Sequence, residues 1–152
     1  MKKTKREFAE LANHVIQCGS VTFNEADDKK DYNEFKLFCG KISNDITKIA
    51  LVWNDEAESK FKLNEDILDE LECFGIELEE VKKVHDKKKR KALRKALKLK
   101  FGKALKKEVE TVDALCAFFS SEEELEFETF PLSKIPLNIN GAYLDVIRDL
   151  LV

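Results

Sequence analysis

The 152-residue sequence predicts a mainly α-helical protein, a single domain over residues 1–152 folded as a bundle of about five or six helices. Only five Gly and two Pro interrupt the chain, and these are the two residues that most disfavour a helix interior. Apolar residues recur at steps of three and four along much of the chain, which is the spacing of one helix face. One short stretch alternates apolar and polar residues, which indicates that the fold can also contain one short two-stranded β element.

The first predicted helix runs from Lys5 to Cys18 and ends before Gly19, a residue type that favours helix termination. Its apolar positions fall on one face: Phe8, Leu11, Ala12, Val15 and Ile16. A second helix is predicted to begin at Asn24, whose side chain is suited to accept from the free backbone N–H groups of a first turn. The acidic residues that follow Asn24 suit the positive end of the helix dipole.

The strongest periodicity in the chain lies between Tyr32 and Trp53 and predicts the central helix of the bundle. The apolar positions that carry it are Tyr32, Phe35, Cys39, Ile42, Ile46, Ile49 and Trp53. A β-hairpin over residues 34–53 that turns at Asn44-Asp45 is the alternative, since the segment is rich in β-branched and aromatic residues. Strand alternation fails at the apolar run 37–39, so helix is the favoured interpretation.

The middle of the chain is predicted to contain a turn followed by further helices. The polar stretch from Asn54 to Lys60 indicates a turn or a new helix start. Asn64 is predicted to cap a helix that ends at Gly75. Another helix is predicted to open near Glu77 and to continue into the basic segment described below.

The last quarter of the chain contains the best strand candidate. Residues 125–130, LEFETF, alternate apolar and polar side chains and indicate a strand, for which residues 21–23 are the expected partner. An irregular crossing from Pro131 to Asn140 is predicted to follow. A short terminal helix over 141–152 then directs its leucines and Ile147 inward.

A basic segment from Lys82 to Lys107 dominates the charge pattern. Fourteen of its twenty-six residues are Lys or Arg and only Asp86 is acidic, whereas the whole chain carries a net charge of −3. On a helical wheel the apolar positions gather on one side, and opposite them lies a basic face. The apolar stripe rotates after this segment, which predicts a bend or break between Gly102 and Thr111. The candidate binding residues of the basic face are Lys88, Lys91, Arg94, Lys95, Lys98 and Lys106.

Several interpretations of this basic amphipathic segment remain open from the sequence. An exposed lysine face binds a phosphate backbone, an acidic protein surface or an anionic membrane surface. The alternative is a solvated face neutralised by acidic segments of the same fold. Two such acidic segments are present, at 65–80 and 122–128, and they are interpreted as solvated faces or as docking surfaces for a basic partner.

The charge segregation without recognisable chemistry predicts a non-enzymatic interaction protein, such as an adaptor, inhibitor or assembly component, with a protein partner or oligomer. The alternative is a nucleic-acid-binding protein that uses the segment 82–107. Because Arg90 and Arg94 are its only arginines, such binding is expected to be independent of sequence and sensitive to salt.

Other classes of function lack support in the sequence. With two histidines and no nucleophile or phosphate-loop motif, no enzyme, small-molecule substrate or cofactor is predicted. His14 and Cys18 have a spacing usable for zinc, but two further ligands are missing, so no metal is predicted. The four cysteines form no CxxC pair, which indicates reduced, buried thiols. A cytoplasmic protein without a signal peptide or membrane span is expected.

Overall fold

A computed structural model describes residues 1–20, 29–136, 139 and 141–152. These residues contain six α-helices and a two-stranded antiparallel sheet, which confirms the predicted mainly α bundle with a small β element. In chain order the elements are β1 Lys2–Thr4, α1 Lys5–Gly19, α2 Lys29–Lys60, α3 Glu65–Lys82, α4 Lys87–Lys100, α5 Gly102–Ser120, β2 Glu122–Glu124, a 3-10 turn Leu132–Lys134, α6 Gly141–Val146 and a 3-10 turn Arg148–Leu150.

The chain divides into two compact units. The first unit comprises residues 1–56 and 118–152, and the second comprises residues 57–117. The boundaries fall within α2 and α5. The single-domain organisation expected from the sequence stays a prediction.

The core of the first unit forms around α1 and α2. Thr4 begins α1 with a capping box, in which its hydroxyl accepts from the Glu7 backbone and the Glu7 carboxylate accepts from the Thr4 N–H. This arrangement satisfies two backbone donors at the helix start. The helix then buries residues at steps of three and four, as predicted, with the exception of Ile16, which is 45% exposed. The fully buried large side chains of the two helices are Phe8, Val15, Phe35, Ile42 and Ile46.

Helix α2 resolves the choice between helix and hairpin for residues 34–53 in favour of helix. It is longer than expected, because it continues through Asn54–Lys60 to its last residue. The turn or new helix start predicted there is wrong, since the stretch lacks Gly and Pro and contains Glu, Ala and Lys, which favour helix. The last turns of α2 therefore consist mainly of exposed polar residues and lie beyond the apolar stripe that ends at Trp53.

Gly19 has a packing role that the sequence did not indicate. It is the last residue of α1, and no described glycine adopts a positive φ. A Cβ built on Gly19 would lie 2.8 Å from the Cβ of Cys39, closer than real Cβ atoms approach. The glycine is therefore needed for the close contact of α1 with α2.

The sheet is formed by β1 and β2, and not by the predicted strand at 125–130. Lys2 pairs with Glu124 and Thr4 with Glu122 in antiparallel register. The 125–130 segment is bonded at its two ends to different segments, through Leu125 N–H to the Met1 carbonyl and Phe130 N–H to the Leu150 carbonyl. The alternation of apolar and polar residues thus follows burial, and pairing is limited to the ends, where Phe130 forms an isolated parallel bridge with Leu151. The expected partner strand at 21–23 and the cap at Asn24 lie outside the described residues.

One cation of the first unit is buried. The Lys5 side chain is 7% exposed, and its ammonium lies 2.7 Å from a Glu123 carboxylate oxygen and 4.6 Å from the ring centroid of Phe118. It also donates to the Ser121 hydroxyl. Buried charge requires such compensation. Lys5 therefore stabilises the packing of α1 against the segment that contains β2.

The second unit contains an antiparallel pair of helices, α3 and α4. Asn64 caps α3 as predicted, with its side chain accepting from the Ile67 N–H. Gly75 does not end α3, and no new helix opens near Glu77, because α3 continues to Lys82 and α4 begins only at Lys87. Both predictions are wrong. Helix-favouring Leu and Glu residues on both sides outweigh the roughly 1 kcal/mol that one glycine costs in a helix interior.

The predicted break in the basic segment lies earlier than expected. Helix α4 ends at Lys100, and α5 begins at Gly102. The buried side chain between them, Phe101, packs on Phe74 of α3 with ring centroids 5.7 Å apart. An aromatic anchor, and not the glycine alone, therefore fixes the position of the corner.

The terminal helix is shorter than the predicted 141–152. α6 covers Gly141–Val146 and a 3-10 turn follows. Ile147 and Leu150 are fully buried, as the sequence predicted for this inward face.

Candidate interaction surface

Helix α4 displays the predicted basic face. Asp86 begins the helix, with its carboxylate accepting from the N–H groups of Lys88 and Lys89. Residues three and four apart share one side of a helix, so the cations at 88, 91, 94, 95 and 98 form a stripe about 15 Å long at 1.5 Å per residue. No residue of α4 is buried. The helix thus presents its charges without being covered by the described part of the chain.

All six candidate residues are exposed. Five of them lie together on α4, and we call these five the α4 cationic stripe: Lys88, Lys91, Arg94, Lys95 and Lys98. Within the described residues, none of the five has a carboxylate oxygen within 4.0 Å. Lys106 lies instead on α5, where its ammonium is 4.0 Å from Glu110. The structure therefore separates Lys106 from the stripe.

Two other cations of α4 are engaged within the second unit. The Arg90 guanidinium donates to the Val84 carbonyl at 3.2 Å, and the Lys100 ammonium lies 2.9 Å from a Glu77 carboxylate oxygen. Both contacts tie α4 to α3 or to the turn between them. Arg94 is thus the one arginine of α4 that belongs to the stripe.

The neighbouring helix α3 carries the opposite charge. It contains eight carboxylates and one lysine, whereas α4 contains nine cations and no carboxylate. In the described residues the two helices share one ion pair, Lys100–Glu77. The acidic residues in the first half of α3 are exposed and have no cation within 4.0 Å among the described residues: Glu65, Asp66, Asp69, Glu70 and Glu72. Neutralisation of the basic face inside the fold is therefore limited to its margin.

The second acidic segment behaves differently. Glu122, Glu123 and Glu128 pair with Lys2, Lys5 and Lys41, each at 2.6–2.7 Å. These contacts link β2 and the following segment to the rest of the first unit. The sequence gives no reason to distinguish the two acidic segments, because a run of charges does not show which partners the fold brings near.

A shallow apolar groove between α3 and α4 was not foreseen. Ile76, Val81, Leu93 and Ala96 line it, with Lys100 and two glutamates at its margin. Ile76 is 61% exposed although acidic residues surround it in sequence. Ile76 follows Asp69 by seven residues and Glu72 by four, so helical spacing places it on the same exposed side as these acidic residues. The acidic composition of the segment obscured this signal.

The four thiols divide into two kinds. Cys18 and Cys39 are buried in the first unit, whereas Cys73 and Cys116 are exposed, so the expectation that all four are buried is wrong for the second pair. Burial raises the pKa of Cys39 to about 12, and it also raises the pKa of Cys18. A thiolate is unfavourable in such an apolar site.

Among the described residues, no group of three or more His, Cys, Asp or Glu side chains is arranged to hold a metal ion. The Cys18 thiol, one of the two potential zinc ligands of α1, lies 3.8 Å from the Tyr143 carbonyl. None of the helices in the described ranges has the length and apolar character required to span a bilayer.

Comparison with known proteins found no matching family model, no matching curated sequence and no matching solved structure.

Proposed function

We propose that this protein is a non-enzymatic interaction protein that recognises an acidic macromolecular partner through the α4 cationic stripe. The observation that carries the proposal is the exposure of five cations on one helix side without ion-pair partners in the described residues. Cations that lack local partners are available to a ligand of opposite charge. The non-enzymatic assignment comes from the sequence, where two histidines and no nucleophile motif were found.

The size of the stripe favours a compact acidic surface. Its length of about 15 Å corresponds to three turns of helix. The carboxylates of α3 flank it and repel an extended polyanion that reaches beyond α4. An acidic patch or acidic helix of another protein matches the stripe without approaching α3. Surface recognition of this kind affects association rate and specificity more than raw affinity.

A nucleic-acid ligand is the second candidate, and the exposed row of lysines on a single helix favours it. Lysine contacts phosphate as a point charge, whereas base readout uses bidentate arginine or amide side chains. Because Arg90 donates to Val84, Arg94 is the one arginine of the stripe. Binding is therefore expected to be independent of sequence, with each phosphate contact contributing about −0.9 to the slope of log K against log salt concentration.

The proposal is tested by fluorescence anisotropy with a labelled poly-glutamate peptide of about ten residues, which as a helix has the length of the stripe, as the acidic protein probe. A 20-base-pair duplex is the nucleic-acid probe. The triple variant Lys91→Glu, Arg94→Glu, Lys98→Glu is expected to bind poly-glutamate at least about tenfold more weakly than the wild type, since three exposed charge contacts of up to roughly 1 kcal/mol each become repulsive. Tighter binding to the duplex than to poly-glutamate supports the second candidate instead.

A matched control separates the stripe from net charge. The variant Lys29→Glu, Lys36→Glu, Lys48→Glu changes the same total charge at exposed positions of α2. It should bind poly-glutamate within about twofold of the wild type. Equal loss of binding in both triple variants, or no binding of either probe by the wild type at low salt, contradicts the proposal.

A further inference from the structure

The helical pair α3–α4 has one side on which the groove opens, and we call this side the hairpin face. Three contacts fix the antiparallel register of the two helices: Phe74 with Phe101, Glu77 with Lys100 and Val84 with Arg90. In this register Ile76 lies level with Leu99. The acidic pair Glu79–Glu80 lies level with Lys95.

The hairpin face combines exposed apolar side chains with separated charge. Ile76 is 61% and Leu99 78% exposed, the two highest values among the large apolar residues of α3 and α4. Ala92 and Ala96 stand near the middle of α4 on this side and are exposed. Small side chains permit a close approach of a neighbouring helix. The face therefore has an apolar centre between an acidic and a basic helix.

We infer that the hairpin face binds a second copy of this chain and forms a two-fold symmetric dimer. A two-fold interface must be self-complementary, because residue i contacts residue j and residue j contacts residue i. A face built from one acidic helix and one basic helix meets this requirement. Lys95 lies at the edge of both surfaces, whereas Lys91, Arg94 and Lys98 of the α4 cationic stripe lie on another side of the helix. The inference therefore goes beyond the proposed function.

The charges select one symmetric arrangement. If the two-fold axis runs parallel to the helices, α3 of each copy lies across α4 of the other, so the acidic helix opposes the basic helix twice. If the axis runs across the helices, α3 opposes α3 and like charges repel. The first arrangement is therefore the favoured one.

The same arrangement pairs the exposed apolar residues. Rotation about an axis parallel to the helices preserves the level of each residue along that axis. Ile76 of one copy thus meets Leu99 of the other, and Glu79–Glu80 meets Lys95, with each contact formed twice. Glu79 already pairs with Lys82 of its own helix and Glu80 with Lys83, the C-cap residue, but exposed pairs of this kind are weak and exchange readily.

Sedimentation velocity of the full chain over a concentration series tests the dimer, and we expect the wild type to shift from monomer to dimer. Ile76→Asp places a carboxylate against Leu99 at two symmetric contacts and should weaken dimerisation at least about tenfold. Leu51→Asp is the matched control, because Leu51 is 57% exposed on α2 in the first unit. It should dimerise as the wild type does.

A charge exchange gives the sharper test. The variant Glu79→Lys, Glu80→Lys and the variant Lys95→Glu each create like-charge contacts in a homodimer and should each be monomeric. Mixed together they restore both opposite-charge contacts, so a one-to-one heterodimer is expected. Formation of that heterodimer requires α3 of one copy to face α4 of the other, which a loss of folding does not reproduce.

Three results overturn the inference: a wild type that stays monomeric at high concentration, variants that dimerise like the wild type, or a mixture that stays monomeric although the wild type dimerises. The proposed function is tested independently of the dimer. Ile76→Asp should retain poly-glutamate binding, whereas the triple variant at 91, 94 and 98 should retain dimerisation. If Ile76→Asp loses poly-glutamate binding while self-association is unchanged, the face serves another acidic partner and the dimer assignment is wrong.

Discussion

Helices α1 and α4 have nearly the same length, fifteen and fourteen residues, and each begins with a side-chain cap. Thr4 caps the first and Asp86 the second. Yet α1 buries seven of its residues and α4 buries none. Both helices are amphipathic in sequence. Amphipathic spacing and a good cap therefore predict that a helix forms, but not whether its apolar side is covered.

The difference arises from the apolar residues available to each helix. α1 presents Phe, Leu and Val at every turn, which bury enough area to stabilise its contact with α2. α4 offers two alanines in place of large side chains, and lysines flank its leucines closely. Little apolar area is therefore removed from water on the α4 side. Helix α1 therefore forms part of the core, whereas α4 lies at the surface.

The largest expected effect comes from the core of α1. Phe8 is fully buried, with its ring centroid 6.1 Å from Trp53 and 6.2 Å from Phe127. Phe8→Ala is expected to lower the free energy of unfolding by about 3–5 kcal/mol, because it removes apolar contacts and leaves a cavity. Leu93→Ala, its counterpart on α4, should lower it by less than about 1 kcal/mol. Urea denaturation followed by circular dichroism measures both values.

The prediction for Phe8 and Leu93 also has a failure condition. If Leu93→Ala destabilises the monomeric protein as much as Phe8→Ala does, α4 contributes to a packed core and the contrast between the two helices is wrong. Measurement at a concentration where the chain is monomeric keeps any effect on self-association separate.

The second largest effect concerns alkaline pH. Because burial raises the pKa of Cys39 to about 12, the unfolded thiol ionises at lower pH than the folded one. Between roughly pH 9 and pH 12 the folded state binds more protons than the unfolded state, so the free energy of unfolding falls by about 1.4 kcal/mol per pH unit from this group. Urea titrations at pH 8, 9, 10 and 11 should show a shallower decline for Cys39→Ala than for the wild type. Cys73→Ala, which removes an exposed thiol, should decline as the wild type does.

The caps give a smaller and more local contrast. Thr4→Ala and Asp86→Ala each remove a side chain that accepts from backbone N–H groups, at a cost of about 1 kcal/mol. Thr4→Ala is expected to lower the global free energy of unfolding, because α1 lies in the core. Asp86→Ala is expected to speed amide exchange mainly in α4, whose lack of buried residues permits local opening. Hydrogen exchange read by mass spectrometry distinguishes the outcomes, and equal acceleration across both units in Asp86→Ala is the result that we do not expect.

The smallest effect is expected at the cationic stripe itself. Lys91 is exposed, and in the described residues no carboxylate lies near it. Lys91→Ala should therefore change the free energy of unfolding by no more than about 0.5 kcal/mol in either direction. A thermal unfolding comparison with the wild type is sufficient. A loss of several degrees would mean that the lysine takes part in the fold, and the stripe would then be less suitable as a binding surface.

The sequence predicted the helices whose apolar stripes are both long and bulky. The Tyr32–Trp53 stripe and the Lys5–Cys18 stripe succeed because side-chain burial there follows helical periodicity directly. Element ends were less predictable. Gly75 and the polar run at 54–60 look like stops, but a helix continues through them when its neighbours favour helix. The corner between α4 and α5 at Phe101 depends on a contact with Phe74, a residue that is far from Phe101 in the sequence.

The candidate site was predictable in composition and only partly in arrangement. Five of the six proposed cations lie together because they share one helix, so spacing alone places them. Lys106 was misplaced because the wheel assumed a helix that continues past Gly102. Helix spacing explains local pairs such as Glu79–Lys82, but the pairing of the acidic segment 122–128 depends on tertiary structure. Glu123 meets the buried Lys5 across a sheet, whereas the equally acidic start of α3 faces solvent.

Trp53, the single tryptophan of the chain, has a consequence for spectroscopy. It is buried in the first unit beside Phe8, so its fluorescence reports on that unit alone, whereas far-ultraviolet circular dichroism reports on the helices of both units. Coincident fluorescence and dichroism transitions indicate one cooperative domain. A loss of ellipticity that precedes the shift of Trp53 emission would show that residues 57–117 unfold independently.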